Sequence, residues 1–185
     1  MQKDHRTLNA ISRILFAIWM LDEARSFKKR RDPEGAPQSP QSLALLLALV
    51  PMAWPLRLPR PLRIAGLIIQ AIALIIMLGA RWQLIAANSF GWSANAATEP
   101  QQSGFYRYLE HPIYGAGLLH VIGLGAANPI AWLVPVLGVR DSATLISNER
   151  RFLAKLGVTH RGVDSFYWDF VITAIGQDAV AGPQA

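Results

Sequence analysis

The chain has 185 residues, 52% of them hydrophobic and 16% charged, with a net charge of +6 and a positive mean hydropathy. So much apolar surface excludes an ordinary water-soluble domain and points to a small multipass membrane protein whose partners are the lipid bilayer and whatever dissolves in it. The absence of cysteine excludes disulfides and thiolate metal sites, and the basic run Lys28-Lys29-Arg30-Arg31 beside an apolar segment is a topology signal rather than a nucleic-acid surface.

Five apolar segments follow in chain order. The first, Leu8 to Leu21, is short for a span and carries Arg13; it continues into Asp22-Glu23-Ala24-Arg25 with no small-residue cleavage site, so it reads as a retained helix rather than a signal peptide. A proline-rich polar linker, Lys28 to Gln41, leads to the second segment, Ser42 to Leu56, which ends in the turn Arg57-Leu58-Pro59-Arg60-Pro61. The third, Ile64 to Ala80, has no charge and at 1.5 Å rise spans about 25 Å, close to the hydrocarbon thickness. Residues 81–110 form a polar, irregular loop broken by Gly91, Pro100 and Gly104, with Trp82 and Trp92 as interface anchors. The fourth segment, Pro112 to Ala127, turns at Asn128-Pro129 into the fifth, Ile130 to Ile146, and Gly115, Gly117, Gly123, Gly125 and Ala126 are expected to let this antiparallel pair pack closely. A short amphipathic tail helix with Phe152, Leu153 and Leu156 breaks at Gly157, and Phe166-Tyr-Trp-Asp-Phe170 reads as interfacial.

The expected fold is therefore all-α, a transmembrane bundle of about five helices forming one integral membrane domain over 1–185. Three N-terminal helices fill 1–80, a cytoplasmic loop 81–111, a hairpin and the start of the tail 112–157, and the remaining tail 158–185. The basic loop from Arg25 to Arg31 places itself in the cytoplasm of a bacterial-type inner membrane, which puts the N-terminus outside and the C-terminus inside. Arg140 and Asp141 fall either within the fifth helix, facing a cavity, or at its interface.

The stretch from Ser103 to Gly117 concentrates chemistry at one membrane surface. Pro112 suits a first helical position, since its fixed φ is helical and its missing N–H would go unbonded there, and it pushes His111 towards an extended conformation. Tyr114 follows in the first turn, and Gly115 and Gly117 remove side chains so that a ligand can approach the backbone. The N–H groups and positive dipole end of this helix favour a carboxylate or other anionic group. With five spans, Glu149 falls on the same membrane face as His111. His120, inside the fourth segment, reads as a hydrogen-bonded packing residue, Tyr108 as part of an aromatic belt, and His111, His120 and His160 have no metal-ligand spacing.

Tyr106-Arg-Tyr-Leu-Glu-His-Pro-Ile-Tyr-Gly115, a hairpin, and Asn148-Glu149-Arg-Arg-Phe-Leu-Ala-Lys-Leu-Gly157 together resemble the C-terminal half of the isoprenylcysteine carboxyl methyltransferase and phospholipid methyltransferase group of integral membrane enzymes. Gly91-Trp-Ser93 is similar to the Asn-Trp-Ser element that commonly precedes it, and the resemblance covers about Gly91 to Gly157. It implies S-adenosylmethionine as methyl donor and a lipophilic or membrane-associated small acceptor, a carboxylate, amine or thiol. Carried over by position, His111 and Tyr114 hold the cofactor at the start of the fourth helix with Tyr106, Gly115 and Gly117 around it, and Glu149 closes over it. Glu149 and Tyr114 are the residues assigned to catalysis.

The chain departs from the family pattern at four places, one of them Ile146 and Ser147, where basic residues usually precede the acidic pair. Glu110 stands where the family has arginine, Asn148 replaces the first of two paired glutamates, and His160 occupies the place of a tyrosine. These departures motivate the alternative of a non-catalytic accessory protein or pseudoenzyme that keeps the fold.

Overall fold

The structure is a computed structural model that describes residues 2–29, 58–87, 101–134 and 161–175, together with 143, 146–147, 149–151, 153–154 and 157. The expected second segment, most of the fifth, Gly91 to Ser93, Arg140, Asp141, Asn148 and His160 lie outside the described residues.

All regular structure among the described residues is helical. Helix α1 is Gln2–Lys29, α2 is Arg60–Ala86, α3 is Pro112–Ala127 and α4 is Ser165–Ile175, with 3-10 turns at Gly104–Arg107 and Pro129–Trp132. Helical residues also occur between 143 and 154, ahead of Gly157, whose φ of 73° is the left-handed conformation that terminates helices. The expected break at Gly157 is therefore present.

Two boundaries differ from the sequence reading. Helix α1 runs for 28 residues, well beyond Leu8 to Leu21, because Asp22-Glu23-Ala24-Arg25 contains no helix breaker and takes Lys28 and Lys29 into the helix. Helix α2 begins at Arg60, where Pro61 fits the first turn, and continues through Arg81 and Trp82 to Ala86, so the start of the expected loop is helix. At 27 residues and about 40 Å, α2 is the one helix among those described that is long and apolar enough to cross a membrane. Helix α3 has the predicted bounds but only 16 residues.

The described residues fall into two compact units, one of α1, α2 up to Leu78, and 113–134, the other of 79–112 and the described part of 143–175. In the first unit, Phe16, Trp19, Leu74, Met77, Ala116, Val121, Leu124, Ala131 and Val134 form a buried core. Its helices meet at small residues. A Cβ placed on Gly66 would lie 2.6 Å from the Gly123 carbonyl oxygen, and one on Gly123 would lie 2.8 Å from Gln70 Cγ, so α2 and α3 approach backbone to backbone. Gly123 and Ala126 thus serve the packing of α3 on α2. Gly125 instead accepts the Trp132 ring, whose Nε1 donates to the Ile122 carbonyl at 3.1 Å. The expected turn at Asn128-Pro129 is present, with the Asn128 side chain accepting from the Ile130 N–H at 3.0 Å.

The described exterior of this unit carries apolar rows beside exposed Arg6, Arg13, Arg25 and Arg60. Ile11, Ile14, Ile18 and Leu21 make an exposed stripe on α1, and Ile64, Ile68, Ile72 and Ile75 make another on α2, both at helical spacing. Polar side chains turn inward: Ser12 donates to Gln70 Oε1 at 2.8 Å and Arg63 to Asn9 Oδ1 at 2.5 Å, and all but Asn9 are buried. In the second unit, Phe105 of the 3-10 turn covers Gly79, and its N–H donates to Gln83 Oε1 at 3.2 Å. Gly104 at the head of that turn has φ 59°.

Candidate functional site

The second unit carries a compact charged cluster built where 161–165 docks on 108–111. The Val163 N–H donates to the Tyr108 carbonyl at 2.9 Å, and residue 162 must be glycine because a Cβ there would lie 2.6 Å from the Leu109 carbonyl carbon. This close approach lets Asp164 reach two consecutive backbone donors. Its Oδ1 accepts from the Glu110 N–H at 2.6 Å and its Oδ2 from the His111 N–H at 3.1 Å, while Trp168 Nε1 donates to Oδ2 at 3.1 Å. The peptide entering α3 thus receives its carboxylate from the protein itself, which takes up part of the donor set expected to attract an anionic ligand.

Glu110 is the centre of the cluster. Its side chain is 4% exposed and accepts a bidentate pair from Arg150, Nε to Oε1 at 2.5 Å and Nη2 to Oε2 at 2.8 Å. The Ser165 hydroxyl, which accepts from the Gly162 N–H at 2.9 Å, donates to Glu110 Oε2 as well. Burial alone would push the Glu110 carboxyl up, but the contacts from His111, Arg150 and Ser165 outweigh it and hold the group well below the usual carboxylate range. Arg150 extends the network to Asp169 at 2.7 Å, which Arg161 also grips at 2.5 Å from the solvent side. Through Arg161, the carboxyl of Asp169 is held low.

His111 is buried between two carboxylates. Its Nδ1 lies 3.3 Å from Glu149 Oε2 and its Nε2 3.4 Å from Glu110 Oε1, the latter an ion-pair approach rather than an aligned hydrogen bond, and the ring meets Trp168 edge-on at 6.4 Å. Burial lowers the tendency of the ring to charge, yet Glu110 and Glu149 more than offset it and raise the pKa to about 9. The two flanking carboxylates thus favour the imidazolium form of His111. Among the described residues, the carboxylates of Glu110, Glu149, Asp164 and Asp169 are gathered with His111, Arg150 and Arg161. Glu149, whose side chain is 32% exposed, has His111 as its ion-pair partner among the described residues.

Of the residues predicted from sequence, His111 and Glu149 are brought together. Tyr106 sits half-buried in the 3-10 turn; Tyr114, Gly115 and Gly117 sit half-buried in the first turns of α3, and a Cβ on Gly117 would meet open space. His120 is fully buried in the first unit. Sequence reasoning missed Arg150, Asp164, Ser165 and Asp169. The signal for Arg150 was present: an acidic residue at 110 in place of a basic one requires a cation, and the tail supplies Arg150 and Arg151. Comparison of the chain with protein-family models, curated proteins and solved structures finds no match.

Proposed function

We propose that the chain is an integral membrane methyltransferase that uses S-adenosylmethionine and acts on a lipophilic or membrane-associated small acceptor. The observation that carries this reading is the contact of His111 with Glu149 at 3.3 Å, two residues distant in sequence that the family resemblance assigns to the cofactor. Residence in the membrane is supported by the length and apolarity of α2 and by a first unit with isoleucine stripes outside and polar pairs inside.

The donor set suits the cationic end of S-adenosylmethionine. Glu149, partly exposed and with His111 as its ion-pair partner among the described residues, offers its carboxylate to the α-ammonium or the sulfonium. His111 holds Glu149 in place through a charged pair, and Glu110 with Arg150 holds His111. Tyr114, through its hydroxyl, is assigned to hydrogen bonding with the cofactor by resemblance alone. When bound, S-adenosylmethionine would supply a methyl group by in-line displacement, the acceptor bonding the methyl carbon as its bond to sulfur breaks and S-adenosylhomocysteine departs. The chain contributes alignment and exclusion of water, so a carboxylate or thiolate acceptor needs no strong base.

A second reading rests on Glu110. The residue that departs from the family pattern is fully engaged in an internal clamp with Arg150 and Ser165, which a non-catalytic relative would also retain. Calorimetric titration of S-adenosylmethionine into detergent-purified protein separates the two. Saturable micromolar binding that is lost in Glu149→Ala and Tyr114→Ala, with helical circular dichroism retained, is the expected result. Folded wild-type protein that binds nothing removes the methyltransferase reading and leaves the clamp.

A further inference from the structure

The first unit contains polar groups that its own hydrogen bonds leave over. Ser12 saturates one side of the Gln70 amide by donating to Oε1 at 2.8 Å. Gln70 Nε2 makes no hydrogen bond to any described residue, and the His120 ring has only a poorly aligned approach to the Gln70 backbone, although both side chains are fully buried. The two belong to one place: His120 lies against the Gln70 backbone, and Gly123, one turn further along α3, is where Gln70 packs. Trp19 and Phe16 of α1 wall the imidazole, with ring centroids 4.8 and 6.5 Å away. Buried polar atoms are ordinarily satisfied, so Gln70 Nε2 and the His120 ring, which the backbone approach leaves at least one nitrogen short, call for a partner.

The inventory of these atoms selects a partner. A neutral imidazole has one N–H to give and one lone pair to fill, and the Gln70 amide adds N–H donors. A hydroxyl group answers both, donating to the imidazole lone pair while accepting from the amide. An ether or ketone only accepts, and a carboxylate would bring a charge that the aromatic walls do not stabilise. The exposed isoleucine rows of α1 and α2 point to arrival from a lipid phase. We propose that Gln70 and His120, beneath Trp19 and Phe16, form a binding site for the hydroxyl group of a lipophilic alcohol or phenol. The site concerns the first unit alone and stands independently of the methyl-donor reading.

The test uses the full chain in lipid nanodiscs, titrated calorimetrically with para-octylphenol and with its methyl ether, with empty nanodiscs subtracted to remove partitioning. The phenol is expected to bind saturably at one molecule per chain, and the ether about tenfold more weakly or less, the usual consequence of denying a buried polar group its partner. Gln70→Leu and His120→Phe should each bring the phenol down to the ether, with helical circular dichroism unchanged. Equal binding of phenol and ether to wild-type protein, or no binding beyond partitioning, overturns the proposal and leaves water as the partner of these atoms. Should His120→Phe fail to fold, the wild-type comparison and Gln70→Met still decide.

Discussion

The two units hide opposite things. The first buries mostly neutral polar groups, such as Ser12 with Gln70, with Arg63 on Asn9 its buried charge among the described residues, and carries isoleucine rows on its exposed faces; the second buries an ion network, with Glu110, His111 and Arg150 tied together and opening towards solvent at Asp169 and Arg161. The first pattern is what a lipid solvent rewards, since apolar surface costs nothing there and polar groups must meet one another. The second requires water at its edge, because an ion network stabilises only when its outer members stay hydrated and its inner members are fully paired. The candidate site lies in the unit built on the ion network.

If that contrast is right, the largest loss should come from the charge at the centre of the second unit. Glu110→Ala leaves Arg150 and His111 without their buried partner and is expected to destabilise the protein by about 3 kcal/mol or more, read as a lowered unfolding midpoint in detergent. A smaller loss, about 1 to 2 kcal/mol, is expected for Asp164→Ala, which removes the acceptor of the Glu110 and His111 N–H groups and of Trp168. In the first unit, Ser12→Ala deletes one interhelical hydrogen bond and should cost only about 0.6 kcal/mol, the usual value between helices in a membrane. Smallest of all is Arg161→Ala, whose pair with Asp169 is exposed and is expected to change stability by less than about 0.5 kcal/mol, an effect that vanishes in high salt.

The comparison also has a pH signature. His111 has its pKa raised in the folded state from the ordinary 6.5 to about 9. The stabilisation from its pairing is therefore complete below pH 6.5 and is lost as pH rises from there through about 9. Glu110 acts in the opposite sense: its depressed pKa stabilises the fold at neutral pH and fails only in acid. Unfolding midpoints measured across pH 6 to 10, roughly the window of this linkage, should fall in wild-type protein and stay nearly flat in His111→Gln. A common slope in both would assign the effect to some other group.

Much of this was written plainly in the sequence. The bounds of α3 follow from Pro112 at its start and Asn128-Pro129 after its end, and the termination at Gly157 from a glycine that can adopt positive φ. The nearness of His111 to Glu149 was expected from the family pattern. The length of α1 was missed because hydropathy marks where a helix is apolar, not where it stops, and Asp22 to Arg25 are charged without being breakers. Asp164 and Ser165 were illegible for another reason. Their roles come from a backbone approach at Gly162 that joins segments more than fifty positions apart, and no local pattern encodes that distance. Sequence also read Glu110 as a departure from a motif, whereas in the fold it is the anchor of the motif's neighbour, Arg150.

Photolabelling with radioactive S-adenosylmethionine, followed by peptide mapping, addresses the central claim most directly. The account predicts saturable labelling, competed by S-adenosylhomocysteine and confined to peptides spanning 101–117 and 143–157, and its loss in Glu149→Ala. Labelling that excess cold ligand does not compete, or that maps to 2–29 or 60–78, would contradict it.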